Sequence, residues 1–184
     1  AAFATWIGGF SYTGGCDETA TDLSGFTAPD SCGGTVTVNY QVDDPCGQSD
    51  NCSSTFTVTA PDDIVATCPS PVTMPACSDQ SAIDAAFATW IGGFSYTGGC
   101  DETATDLSGF TAPDSCGGTV TVNYQVDDPC GQTDNCSSTF TVTTPDEIVA
   151  TCPNPVTMPA CSDQSAINAA FATWIGDFSY SGGC

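Results

Sequence analysis

The chain has no lysine, arginine or histidine, against 22 aspartates and glutamates, for a formal charge of −22. Nothing on it can neutralise phosphate, so DNA, RNA and anionic lipid are excluded as partners. Salt bridges between side chains are excluded too, as is any side chain whose ordinary pKa lies near neutrality. Serine and cysteine nucleophiles therefore have no base to activate them, and trypsin-like proteases find no residue for their acidic specificity pocket. Long apolar runs are also missing. None approaches the roughly 20 residues of a membrane span, so no membrane insertion is expected. No secretory leader is visible at Ala1, which fits a mature or internal fragment. No CxxC pair occurs, which with the lack of histidine argues against zinc.

What the sequence does hold is repetition. Residues 1–16, AAFATWIGGFSYTGGC, return at 85–100 and, with two changes, at 169–184, spaced 84 residues apart both times. Residues 1–84 and 85–168 differ at five places: Ser49/Thr133, Ala60/Thr144, Asp63/Glu147, Ser70/Asn154 and Asp84/Asn168. A period close to the size of a small domain predicts beads on a string, each with its own core. The shared phase of the two ends predicts a window on a longer polymer of the same repeat.

Each period holds six cysteines, at 16, 32, 46, 52, 68 and 77, then at 100, 116, 130, 136, 152 and 161, and Cys184 begins a third set. An even number in so small a repeat predicts a disulfide framework made in an oxidising compartment, and hence secretion. The connectivity expected is sequence-local, Cys68–Cys77, Cys100–Cys116 and Cys130–Cys136. The phase of Cys136 with Phe140 and Val142 leaves a bond across the core as the alternative.

Period-2 patterns place the strands. TVTVNYQV at 119–126 puts Val120, Val122, Tyr124 and Val126 on one face, and SSTFTVT at 137–143 does the same with Phe140 and Val142. DDPCGQTDNC between them reads as a loop, giving an antiparallel hairpin. Pro145 stops the pairing. The boundaries then fall near 60 and 144: 1–59 is the C-terminal part of a repeat, 60–143 one complete repeat, and 144–184 the N-terminal part of the next. DDIVATCP is a short strand with Ile64, Ala66 and Cys68 on one face, and Pro69, Pro71 and Pro75 suit an edge strand after it. SDQSAIDAAFATWIGGF is the one helical pattern. Ser81 with Asp84 would cap it, Ile83, Phe87, Trp90 and Ile91 form one stripe, and Gly92-Gly93 ends it. FSYTGG is a strand, and Leu107 and Phe110 anchor the loop DLSGFTAPD. The whole predicts an all-β, disulfide-stapled sandwich with one short helix per repeat.

The segment ATCPSPVTMPAC, the strand GGTVTVNYQVDD, the turn DPCGQTDNC and the closing SSTFTVT resemble a known family. These are the HYR-like, cysteine-containing immunoglobulin-type tandem repeats of very large bacterial surface adhesins and fibres, notably in Bacteroidetes. The resemblance covers the whole 84-residue period. It implies an immunoglobulin-like sandwich, secretion to the cell surface, and a role in adhesion or in building extracellular fibres. It supplies no catalytic residue, and the AIDAAFATW helix lies outside a minimal sandwich.

Parallel first and last strands in such a sandwich would bring Asp62 and Asp63 near Asp127, Asp128 and Asp134. These hard oxygens suit Ca²⁺, with solvated acidic turns as the alternative. Asn51-Cys52-Ser53 and Asn135-Cys136-Ser137 match the N-x-S glycosylation pattern in an exposed turn, although a neighbouring disulfide would make a poor substrate. Asp101, Glu102 and Asp106 could form a glycosidase-type pair, but nothing desolvates them and a solvated loop is expected. Trp90, Phe87, Phe94 and Tyr96 could stack on sugar; their spacing favours core.

The function expected is structural, with no enzyme activity. The chain reads as a repeat segment of a secreted filament or giant surface adhesin that gives length, stiffness and protease resistance, with self-association by strand addition. The alternative is a carbohydrate- or surface-binding adhesive module acting by avidity. An ice-binding surface on the TxT rows is weaker, because the rows are short.

Overall fold

Valine–threonine alternation and an alanine-rich helical stripe set the main elements of the computed structural model, which describes residues 1–184. In chain order the first elements are α1 (Ala2–Ile7), β1 (Thr19–Ala20), β2 (Gly34–Asp43), β3 (Ser49–Val58), β4 (Val65–Thr67), β5 (Val72–Met74) and α2 (Gln80–Ile91). Then come β6 (Ser95–Thr97), β7 (Thr103–Ala104), β8 (Gly118–Asp127), β9 (Thr133–Val142), β10 (Val149–Thr151), α3 (Gln164–Gly176) and β11 (Ser179–Ser181). The fold is β-rich with few, short helices. Its sheets are ordered β1-β2-β3, β5-β9-β8-β7, β4-β6 and β10-β11. Elements one period apart correspond, except that residues 156–158, the counterparts of β5, and residues 11–13, the counterparts of β6, form no strand.

The chain divides into two compact units. One holds Ala1–Thr67, Ser95–Thr105 and Tyr124–Cys136, the other Cys68–Phe94, Asp106–Asn123 and Ser137–Cys184. Each takes residues from more than one period.

In the first unit β2 and β3 pair antiparallel from Gly34↔Val58 to Asp43↔Ser49. Threonines on the outer face pair their hydroxyls, Thr35 Oγ1 lying 3.0 Å from Thr57 Oγ1. The turns after β2 and β8 are shorter than expected. Asp44 and Asp128 each accept through Oδ1 from the Gln48 and Gln132 N–H at 2.9 and 2.8 Å, and Gly47 and Gly131 take a left-handed φ of 83°. That closes the chain within DPCGQ, so the strand resumes at Ser49 and Thr133 and the following Asp-Asn-Cys pairs in the sheet. β4 runs antiparallel to β6, with Ala66 opposite Tyr96. Gly98, at φ 78°, leaves no room for a Cβ against the Asp63 carbonyl.

The second unit is built on α2. Ile83, Phe87 and Trp90, at i, i+4 and i+7, are all buried. The Phe87 ring meets Phe140 edge-on at 5.3 Å, and Trp90 lies 5.7 Å from the same ring. Burying each such side chain contributes about 1.5–3 kcal/mol. β5 pairs with β9 in parallel, Val72 opposite Phe140, and Thr143 N–H donates to the Met74 carbonyl at 3.0 Å. The helix ends differ from expectation. Asp79, not Ser81, is the N-cap of α2, and at α3 the equivalent Asp163 carboxylate accepts from Ser165 N–H at 2.8 Å. At α2 the Asp79 side chain makes no such bond, and its backbone carbonyl accepts from the N–H groups of Ala82 and Ile83 at 2.9 and 3.0 Å. Gly92 closes α2 in a right-handed conformation, φ −72°.

One polar side chain enters this core. Ser138 is 3 % exposed, and its Oγ accepts from the Trp90 indole N–H at 3.1 Å. Ser138→Ala strands that donor, with an expected cost of about 1–3 kcal/mol in urea unfolding. Adding Trp90→Phe should recover much of the loss, and a neutral Ser138→Ala would contradict the bond's role.

Candidate functional site

The disulfides overturn the sequence-local pairing. Cys130 bonds Cys32, and Cys77 bonds Cys184, with Cα atoms 5.2 and 5.3 Å apart. Cys68 and Cys136 are also disulfide-bonded. Cys100 and Cys116, expected to pair, are exposed free thiols, as are Cys16, Cys46, Cys52, Cys152 and Cys161. The local pairs fail for geometric reasons. Cys130 lies in the hairpin turn, whereas Cys136 lies within β9 on the face of Ser138 and Phe140. Cys77 takes a left-handed φ of 64°, and its N–H donates to the Ser115 carbonyl at 3.3 Å. The two bonds span 98 and 107 residues, both more than one 84-residue period. Each therefore joins residues of successive sequence periods, not residues of one period as the sequence-local pairing has it.

No three acidic or thiol side chains converge as metal ligands. Of the aspartates proposed for Ca²⁺, Asp134 accepts from the Ala66 N–H at 2.8 Å and the Asn135 N–H at 2.9 Å. Both carboxylate oxygens of Asp127 accept from Gln125 Nε2, and Asp128 holds its turn through Oδ1. Asp62 takes part through its backbone carbonyl, accepting from Gly99 N–H at 2.8 Å, and Asp63 through its carbonyl's close approach to Gly98. Protein N–H groups thus partner Asp127, Asp134 and Asp128 Oδ1, while Asp128 Oδ2 is buried without a partner.

Asn51 and Asn135 are exposed, but they lie inside β3 and β9 instead of a turn. Asp106 accepts from both the N–H and the hydroxyl of Ser108, which holds its carboxyl below the usual range. That is the reverse of what a general acid needs. Trp90, Phe87 and Phe94 are buried in the core, and of the four aromatics only Tyr96 is exposed.

The Asp114 carboxylate, hydrogen-bonded to Cys116 and acting on it with its charge, pushes this thiol up. Less thiolate means slower attack. Asp114→Asn is expected to speed alkylation of Cys116 several-fold at mildly alkaline pH while leaving Cys100 unchanged; equal rates at Cys116 in both proteins would contradict that cause.

No protein-family model, curated protein or solved structure matches the chain. No helix is long and apolar enough to cross a membrane.

Proposed function

We propose that the chain is a repeat segment of a secreted extracellular filament or giant surface adhesin, made of immunoglobulin-like repeats with boundaries near 60 and 144. The observation that carries this reading is the pair of disulfides longer than the period, since bonds that staple one repeat to the next suit a continuous, chemically durable rod. The parallel pairing of β5 with β9 supports the immunoglobulin-like part of the reading. The absence of Lys and Arg supports endurance toward trypsin-like proteases. Ca²⁺ enters as a counter-ion for the acidic surface, and a melting temperature indifferent to chelator would remove it.

Electron microscopy of native material with an antibody to the chain tests the reading. Filaments labelled at a regular axial interval are expected. Label confined to non-filamentous material, or saturable binding of the chain to a glycan array, would overturn it in favour of an adhesive module.

A further inference from the structure

The two long bridges overlap along the chain. Cys32–Cys130 closes residues 32–130 and Cys77–Cys184 closes residues 77–184, so every peptide bond from Cys32 to Cys184 lies inside at least one covalent loop. The stretch 77–130 lies inside both. Each bond is made within a single compact unit, the first between Ala1–Thr67 and Tyr124–Cys136, the second between Cys68–Phe94 and Ser137–Cys184. The sequence-local pairs Cys68–Cys77, Cys100–Cys116 and Cys130–Cys136 would instead have left residues 78–99 and 117–129 outside any loop.

Endopeptidases cut where the backbone is free of regular structure. Three long segments of that kind follow Cys32. Residues 105–117, between β7 and β8, lie in the doubly closed stretch, and residues 143–148 and 152–163, on either side of β10, lie inside the Cys77–Cys184 loop. A cut in any one of the three therefore leaves both of its new ends attached to the same covalent body. Only a cut before Cys32 escapes both bridges.

We propose that the overlapping bridges make the chain tolerant of backbone cleavage and place its release under redox control: a single endopeptidase cut anywhere between Cys32 and Cys184 detaches nothing until a thiol reductant also opens the bridges. The two steps are chemically independent. Hydrolysis adds one water across the peptide bond, giving a carboxylate and an amine, and leaves the sulfurs untouched. Opening a bridge consumes one dithiol. Its first thiolate attacks one sulfur and expels a cysteine thiolate, its second expels the other cysteine, and the dithiol leaves as a cyclic disulfide with its two protons on the cysteines. Neither step depends on the filament reading, and both concern bonds within this chain.

The test digests the full oxidised chain with a glutamate-specific endopeptidase after its seven free thiols have been alkylated, which prevents disulfide exchange. The glutamates are Glu18, Glu102 and Glu147, so complete cleavage gives residues 1–18, 19–102, 103–147 and 148–184. Cys32 on 19–102 holds Cys130 on 103–147, and Cys77 on 19–102 holds Cys184 on 148–184. Mass spectrometry in denaturant without reductant is expected to show residues 1–18 alone and residues 19–184 as one species, heavier than the uncut stretch by the waters added at Glu102 and Glu147. A dithiol should then split that species into its three pieces. Denaturant removes any non-covalent hold, so release of 103–147 or 148–184 before the dithiol is added would overturn the proposal. Cys77→Ser combined with Cys184→Ser is the control. It should free 148–184 without reductant while 19–102 and 103–147 stay joined, and the readout is covalent, so it survives any loss of fold in the variant. Retention of 148–184 by that variant would show that another bond holds the segment and would overturn the role given to this bridge.

Discussion

Serine at both Cys32 and Cys130 is expected to cost the oxidised chain about 4 kcal/mol of unfolding free energy in the chain-entropy model and to cost the reduced chain almost nothing. The bond closes a loop with a sequence separation of 98, so cutting it returns a large conformational freedom to the unfolded state. The Cys77–Cys184 bond spans 107 residues and shares residues 77–130 with that loop, so part of the freedom stays restrained and the observed value should fall below the single-loop limit. Urea midpoints with and without reductant measure the effect. Cys116→Ser is the matched control, since it removes a free thiol. Coincident midpoints for the oxidised wild type and the double variant would show that this staple carries no stability.

Alanine at Phe140 should cost about 3–5 kcal/mol, whereas alanine at its counterpart Phe56 should cost about 1–2 kcal/mol. The two residues share sequence context but not surroundings. Phe140 is fully buried against Phe87 and Trp90 and lies opposite Val72. Phe56 is only half-buried and meets Phe3 and Trp6 of the short α1. Little else differs, so the comparison isolates what the longer helix and the parallel strand contribute. Equal losses at the two positions would mean that these neighbours add nothing.

Much of the local structure was legible in the sequence. Alternation marked β8 and the inward set Val120, Val122, Tyr124, Val126, Phe140 and Val142, all buried except the half-buried Val120. The stripe Ile83, Phe87, Trp90 marked α2, and the prolines marked β5 as an edge. The strand start at Thr133 was hidden, because Asp and Asn read as loop formers while the Asp128 carboxylate had already closed the turn. Ser138 was hidden as well; its only signal was a hydroxyl in phase with Phe140, facing a helix that carries a tryptophan. The disulfides were least legible. Spacing within one period says nothing about which cysteines approach across periods, and pairing inside a repeat never considers Cys32 with Cys130. Nor does spacing show that the N–H groups of Ala66 and Asn135 engage the Asp134 carboxylate.

The sulfur bridge at Cys77 also decides how the chain would carry a load. A pull on its two ends that reaches Cys77 crosses straight to Cys184, and the separation of 107 residues between them need not extend. Roughly 360 Å of contour, at about 3.4 Å per residue, stays stowed while the bridges hold. A reductant, and not the pulling itself, would be the key that lets it out.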